Sequence, residues 1–390
     1  MLEALFLALP VAVAYGWVMG RNSLRKAQRK QSSILSKHYY KGLNFLLSDE
    51  PDKAVDTLMK MISVNNDTVE THIAMGNFFR HRGELDRAIR VHQNLISRDE
   101  ISSRQEALAL VELGTDYLMA GFLERAEGVF LQLLEQTQHF DLAQQKLFNI
   151  YQITKEWNKA IDLASASIQI TPNDKHLYVL LSHFYCEQAK LLLEDENVDE
   201  ARSFLKKAIV IDGSQVRAWL DLGRLALESG NYKEAFNYLS EIPKRDLDWL
   251  SEAVPLLEEW AAKCDGWEEL DKLLEPYWQK CASSYIAKVN IIAKRGENNL
   301  AIDTLNTQLQ KHPTMRGFKT LLSLYQEDFK ESEQAQRSIE HLKSLLDKQI
   351  GQRPKYRCHS CGFSGRQLHW LCPSCKTWSS NKPIKGLDGE

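Results

Sequence analysis

The sequence predicts an all-α chain: a solenoid of helix pairs, preceded by one apolar segment and followed by a small four-cysteine metal domain. Three observations predict it. Small and apolar residues recur at a spacing of 34 through most of the 390 residues. The first twenty residues carry Glu3 as their one charge, and the chain closes on two matched CxxC pairs, Cys358/Cys361 and Cys372/Cys375.

The opening segment comes first. Leu2 to Gly20 as a helix spans roughly 28 Å, close to the hydrocarbon thickness of a bilayer, so residues 1–20 read as a minimal transmembrane helix. Arg21, Arg25, Lys26, Arg29, Lys30, Lys37 and Lys41 follow, with no acidic residue before Asp49. A flank this basic stays in the cytoplasm, which leaves the N-terminus outside and residues 21–34 as a juxtamembrane segment. Ala12-Val13-Ala14 has the small-x-small form of a signal cleavage site, but the preceding stretch lacks a basic side chain and the following charge opposes translocation.

The repeat occupies residues 35–347. Around Gly76 stand His72, Phe79, Gly83-Glu84-Leu85-Asp86-Arg87-Ala88 and Leu95; a shift of 34 back gives Gly42, Phe45, Ala54 and Met61. The small residue of the second helix recurs at Ala126, Ala160, Ala201, Ala235 and Ala301, with Pro172 and Pro313 each twelve residues beyond their alanines. This is the tetratricopeptide pattern, in which small residues let two helices approach and large apolar ones fill the gap to the next pair; about eight units fit the length. Between Ala160 and Ala201 the interval is 41, so a longer first helix or a protruding loop is expected near Leu191–Asn197. Asp246 to Lys280 keeps helical periodicity but loses the signature residues. Its tryptophans, Trp249, Trp260, Trp267 and Trp278, read as core filling in a degenerate repeat, with a bend there.

The cysteines at the end form the third element, residues 354–384. Two thiolates from each of two tight turns can reach the corners of a tetrahedron around zinc or iron at about 2.3 Å. The ten-residue spacer leaves room for one small hairpin between the turns. Tyr356, Phe363, Trp370 and Trp378 offer an apolar shell for the cluster. Two disulfides would satisfy the same count, but a cytoplasmic location keeps thiols available to metal. Cys186, Cys264 and Cys281 lie in helical patterns and read as buried structural residues.

Composition excludes other classes. A net charge of −3 gives neither the basic excess of a nucleic-acid binder nor an acidic tail. There is no phosphate loop, nucleophile elbow or HExxH, so no enzyme is expected. His72, His81, His92, His176 and His183 fall at solenoid positions without a paired carboxylate pattern, as surface or core-edge side chains.

Three stretches carry a family resemblance: the opening Leu9-Pro10-Val11-Ala12-Val13-Ala14-Tyr15-Gly16-Trp17 with Met19-Gly20-Arg21; His312-Pro313-Thr314-Met315-Arg316; and the tail Tyr356-Arg357-Cys358, Cys361-Gly362-Phe363, Trp370, Cys372-Pro373-Ser374-Cys375, closing on Lys382-Pro383-Ile384 and Gly386-Leu387-Asp388-Gly389. With the repeats between them, they resemble the lipopolysaccharide assembly protein B family of Gram-negative bacteria over the whole chain. The resemblance implies a single-pass inner-membrane protein facing the cytoplasm, with a rubredoxin-like knob packed on the repeats. Cys358, Cys361, Cys372 and Cys375 match the family's metal ligands, for one iron or zinc ion; rubredoxin likeness favours iron, and tetrathiolate geometry suits both.

The resemblance also implies a role: an adaptor through which the membrane-anchored FtsH-type metalloprotease degrades the deacetylase that commits precursor to lipid A. Other inner-membrane lipopolysaccharide regulators or assembly proteins are implied as partners. The alternative is an electron-transfer or redox-sensing protein built on a rubredoxin-like iron centre with four thiolate ligands.

Overall fold

The computed structural model describes residues 69–98, 101–136, 138–328 and 333–387, with Met19 and Gly389. Apart from Met19, the expected anchor (1–20), the basic segment (21–34) and the repeat around Gly42 lie outside the described residues. No helix among the described residues is long and apolar enough to cross a membrane.

Two compact units divide after Thr154. The first contains α1 (Val69–His81), α2 (Leu85–Ile96), α3 (Ser103–Met119), α4 (Leu123–Leu134) and α5 (Phe140–Thr154). The second contains α6 (Trp157–Ile170), α7 (Lys175–Glu194), α8 (Val198–Ile211), α9 (Val216–Glu228), α10 (Tyr232–Leu239) and α11 (Ile242–Arg245). A 3₁₀ turn at Leu247–Trp249 leads into α12 (Leu250–Cys264), α13 (Trp267–Leu274), α14 (Ala282–Lys294), α15 (Asn298–Lys311), α16 (Met315–Asp328) and α17 (Glu333–Gln352). A three-stranded sheet ends the unit: β1 (Tyr356–Cys358), β2 (Ser364–Gly365) and β3 (Asn381–Pro383).

The repeat signature has a direct steric meaning. A Cβ placed on Gly76 would lie 2.2 Å from His92 Nε2, on Gly114 2.7 Å from Phe130 Cζ, and on Gly223 2.5 Å from Leu239 Cδ2. Each of these three glycines thus faces the residue sixteen positions on in the second helix, at a separation no side chain fits. Ala88, Ala126, Ala160, Ala201, Ala235 and Ala301 are all fully buried for the same reason. The turn between the two helices is equally regular. Gly83, Gly121, Glu196, Gly230, Asp265 and Gly296 are left-handed, with φ from 56 to 84°. The next amide closes back on the first helix, as in Glu84 N to Phe79 O at 2.9 Å and Asn231 N to Ala226 O at 2.8 Å.

Departures from period resolve in two ways. α7 runs for 20 residues against 13 in α1 and α9, so the extra residues lengthen a first helix rather than forming a loop. The degenerate stretch breaks into the 3₁₀ turn, α12 and α13. There Trp249 and Trp260 are buried, and Trp267 packs on the same apolar cluster. Two expectations are corrected. His92 does have a carboxylate partner: its Nδ1 lies 2.6 Å from Asp116 Oδ2, while Arg80 Nη1 donates to Asp116 Oδ1 at 2.9 Å, a buried polar link between α1, α2 and α3. Of the three helical cysteines only Cys186 is buried, its thiol pushed up to about 12 by burial. Cys264, on the last turn of α12, is exposed, and Cys281 is half-buried beside Ser284.

Gly223→Val tests the close approach. Forcing a branched side chain against Leu239 should lower stability by a net ~1–2 kcal/mol, overpacking outweighing the gain in helix propensity. Urea unfolding of the variant checks it, and an unchanged midpoint would mean that Leu239 simply moves aside.

Candidate metal centre

Both CxxC turns fold in the same way, residue for residue. In the first, Cys358 N donates to Phe363 O at 2.7 Å and Gly362 N to Cys358 O at 2.9 Å. In the second, Cys372 N donates to Thr377 O and Lys376 N to Cys372 O, both at 3.0 Å. The residue after each second cysteine is left-handed, Gly362 at φ 79° and Lys376 at φ 56°. Glycine tolerates that conformation freely; lysine adopts it at some cost. Amides of Ser360 and Cys361 point at Cys358 Sγ, and those of Ser374 and Cys375 at Cys372 Sγ.

Each turn is itself the bend of a small antiparallel pair. β1 pairs with β2 across the first turn, Arg357 opposite Ser364, and Leu371 bridges Trp378 across the second. The spacer therefore gives one arm to each turn, instead of forming the separate hairpin expected between them. β3 pairs on the other side of β1, with Cys358 opposite Asn381, giving the order β2-β1-β3. Pro383 sits on an edge strand, where its missing N–H costs no ladder bond.

The four Sγ atoms lie within 4.8 Å of one another. Cys358 to Cys375 and Cys361 to Cys372, two pairs that link one turn to the other, are each 3.7 Å. A tetrahedron with metal–sulfur bonds of about 2.3 Å has edges of about 3.8 Å, so the donor set fits a tetrathiolate ion and is far too open for disulfides. The surroundings favour thiolate at some positions and resist it at others. The Ser380 hydroxyl, 3.3 Å from Cys358 Sγ, holds that thiol down to about 5, helped by the turn amides. The Thr377 hydroxyl lowers Cys375, while burial pushes Cys372 up to about 11. A bound cation would bring all four to thiolate. Cys361 is the exposed corner of the cluster.

The aromatics do something the sequence reading did not assign to them. Trp370 stacks on Trp249 of the 3₁₀ turn, ring centroids 4.5 Å apart, with the Arg217 guanidinium 5.7 Å from its ring on α9. Trp378 stacks on His183 of α7 at 4.6 Å and meets Phe184 edge-on at 6.2 Å. Instead of only shielding sulfur, both tryptophans dock the knob on the helices. Burial, and then the charge of Arg217, keep the His183 imidazole neutral, its pKa well below the ordinary value; its Nε2 lies 2.9 Å from Ser379 Oγ. Around the stacked rings run Lys382 to Asp246 at 2.9 Å and to Asp248 at 2.7 Å, Lys385 to Asp248 at 2.5 Å, and Lys355 to Glu252 at 2.7 Å. Tyr356 donates its hydroxyl to Glu252 at 2.8 Å. No sequence signal singled out these acceptors, because they fall in the stretch where the repeat signature is lost.

Trp370→Ala should detach the knob, at a cost of about 2–4 kcal/mol in lost burial and stacking. Hydrogen exchange reads it: amides of 246–260 and 356–383 should exchange faster, while those of 69–134 stay unchanged. Equal acceleration throughout would contradict a local docking role.

Comparison with known proteins agrees with this geometry. Models of the tetratricopeptide repeat match residues 71–102 and 192–259, and one described as a rubredoxin metal binding domain matches 356–383. Lipopolysaccharide assembly protein B of Escherichia coli (strain K12) is 39% identical over 393 residues, covering 100% of both chains. The protein of that name from Haemophilus influenzae is 35% identical over 399 residues, again covering 100% of both. End-to-end identity at this level, across helix pairs and cysteine turns alike, places the chain in the lipopolysaccharide assembly protein B family.

Proposed function

We propose that the chain is a membrane-tethered adaptor that sets lipopolysaccharide output, holding a client enzyme beside a protease. The observation that carries this reading is the full-length match to the E. coli assembly protein, which extends through the repeats and the knob. The function is binding rather than catalysis. Stacked helix pairs offer long surfaces for a partner segment, and an N-terminal anchor would raise the effective concentration of partners confined to the same membrane. The client is the deacetylase that commits precursor to lipid A; the protease is the membrane-anchored FtsH-type metalloprotease, with the bulk of the chain on the cytoplasmic side of the inner membrane. Cys358, Cys361, Cys372 and Cys375 hold one iron or zinc ion, whose role is to brace the knob. Electron transfer or redox sensing is the second reading. The exposure of Cys361 favours it, since an electron carrier needs one open edge.

Cys358→Ser or Cys375→Ser should release the ion and loosen the knob while most helicity remains, because damage in a solenoid stays near its source. Metal analysis with far-UV circular dichroism checks both parts, and stoichiometric metal in both variants would remove the assignment of the four ligands.

Exchanging the ion separates the two readings. Zinc and iron hold four thiolates in nearly the same tetrahedron, but zinc cannot cycle electrons. With the full chain loaded with zinc alone, partner capture and deacetylase turnover should match the iron form. A zinc form that captures both partners yet fails to promote turnover, beside an iron form active in only one redox state, would replace bracing by redox control.

A further inference from the structure

Two departures from the regular repeat meet at one cavity of about 530 Å³. The closing turns of the 20-residue α7 supply part of its wall, through Lys190 and Leu193, and α9 continues it through Leu220 and Leu225. Another part comes from the spacer between the two CxxC turns, through Leu368, Trp370 and Leu371. An array of uniform helix pairs would have neither the long helix nor the knob, so the cavity belongs to their combination. Its volume falls within the roughly 300–1,000 Å³ of clefts that hold ligands. Leu193, Leu368, Trp370 and Leu371 are only half-buried, which leaves apolar surface facing the space between them.

The polar groups at the cavity are engaged with one another. Arg217 Nη1 lies 2.8 Å from Glu187 and its Nε 3.6 Å from Asp221, which also lies 3.8 Å from Arg224. Glu252 takes Lys355 at 2.7 Å and the Tyr356 hydroxyl at 2.8 Å. On the knob, His369 O accepts from Asn381 Nδ2 and Trp370 O from Ser379 N, both at 2.8 Å. The remaining lining is helical, with its backbone groups spent inside the helices. An extended peptide needs partners for its main chain and finds them already taken. A helix brings its own backbone bonds and needs only apolar contact. Because the charges inside cancel, nothing there favours a phosphorylated ligand. At the mouth stand two exposed charges of opposite sign, Lys190 on α7 and Glu228 on α9, neither ion-paired among the described residues. We infer that this cavity seats the apolar face of an amphipathic helix of a partner protein, with acidic and basic residues on the flanks that meet Lys190 and Glu228. The inference deepens the adaptor reading and rests on it.

The probe is a synthetic, end-capped helical peptide with leucines at i, i+4 and i+7, glutamate on one flank and lysine on the other. An isomer of the same composition scatters the leucines around the helix. The full chain, zinc-loaded in phosphatidylcholine nanodiscs, is titrated with each by fluorescence anisotropy, against empty nanodiscs as the blank. The ordered peptide should bind one equivalent, about tenfold more tightly than its isomer. Leu193→Trp fills the cavity with an apolar ring and should weaken binding about tenfold, while amides 356–383 keep their wild-type hydrogen exchange because the knob stays seated. Lys190→Glu should weaken it about threefold and Lys190→Arg should not. Lys190 is exposed, so unchanged affinity in Lys190→Glu overturns the inference even where Leu193→Trp unseats the knob. Equal binding of the two isomers, or binding of neither, would also overturn it. Capture of the deacetylase is read separately. A chain that binds the ordered peptide but captures no deacetylase removes the adaptor reading and leaves the site; capture that persists in Leu193→Trp, with no peptide bound, removes the site and leaves the adaptor.

Discussion

A domain as short as residues 356–383 cannot stabilise itself by apolar burial, since too little of so small a chain lies inside. The arrangement of the C-terminal unit follows from that constraint. Two supports are built in: a cluster of four thiols that closes the two turns on each other, and a pair of tryptophans that places the knob against α7, α9 and the 3₁₀ turn. The first support fixes the internal geometry of the knob. The second fixes where that geometry sits relative to the helices.

Magnitudes decide which docking contacts matter. Ion pairs at Asp246, Asp248 and Glu252 are partly exposed, and pairs of that kind contribute about 0–1 kcal/mol each. The Lys382 and Lys385 ammoniums do hold Asp248 below the usual carboxylate range, but solvent screens much of this. Stacking with burial contributes more, so the rings supply adhesion while the lysines fix orientation. The same comparison explains the loss of repeat signature between Asp246 and Glu252. Asp246, Asp248, Trp249 and Glu252 face the knob, and a residue that must accept a lysine or stack on a tryptophan cannot also be the small residue of a helix hairpin.

Much of this was legible in the chain. The period of 34 located the helix pairs because a glycine or alanine at a hairpin crossing is a steric requirement, and steric requirements leave residue-level marks. The two CxxC turns announced a four-thiol cluster for a similar reason: sulfur ligands must come in pairs from tight turns. The longer α7 could be read from the interval between Ala160 and Ala201, although not whether helix or loop would absorb it. The partner of His92 was illegible, because Asp116 comes from the next repeat and no spacing rule links them. Cys264 was misread as buried because helical periodicity does not say which side of a short helix end faces the core.

The sequence by itself determined the local rules: which residues are small at crossings and which four sulfurs can meet. Each of these depends on neighbours within about forty residues, so spacing alone reveals it. Only the tertiary structure decided what Trp370 and Trp378 touch, and that Trp249 forms a seat instead of mere core. Those outcomes depend on bringing together segments up to about two hundred residues apart, and a stacked ring or a converging charge leaves no periodic trace in the chain that makes it.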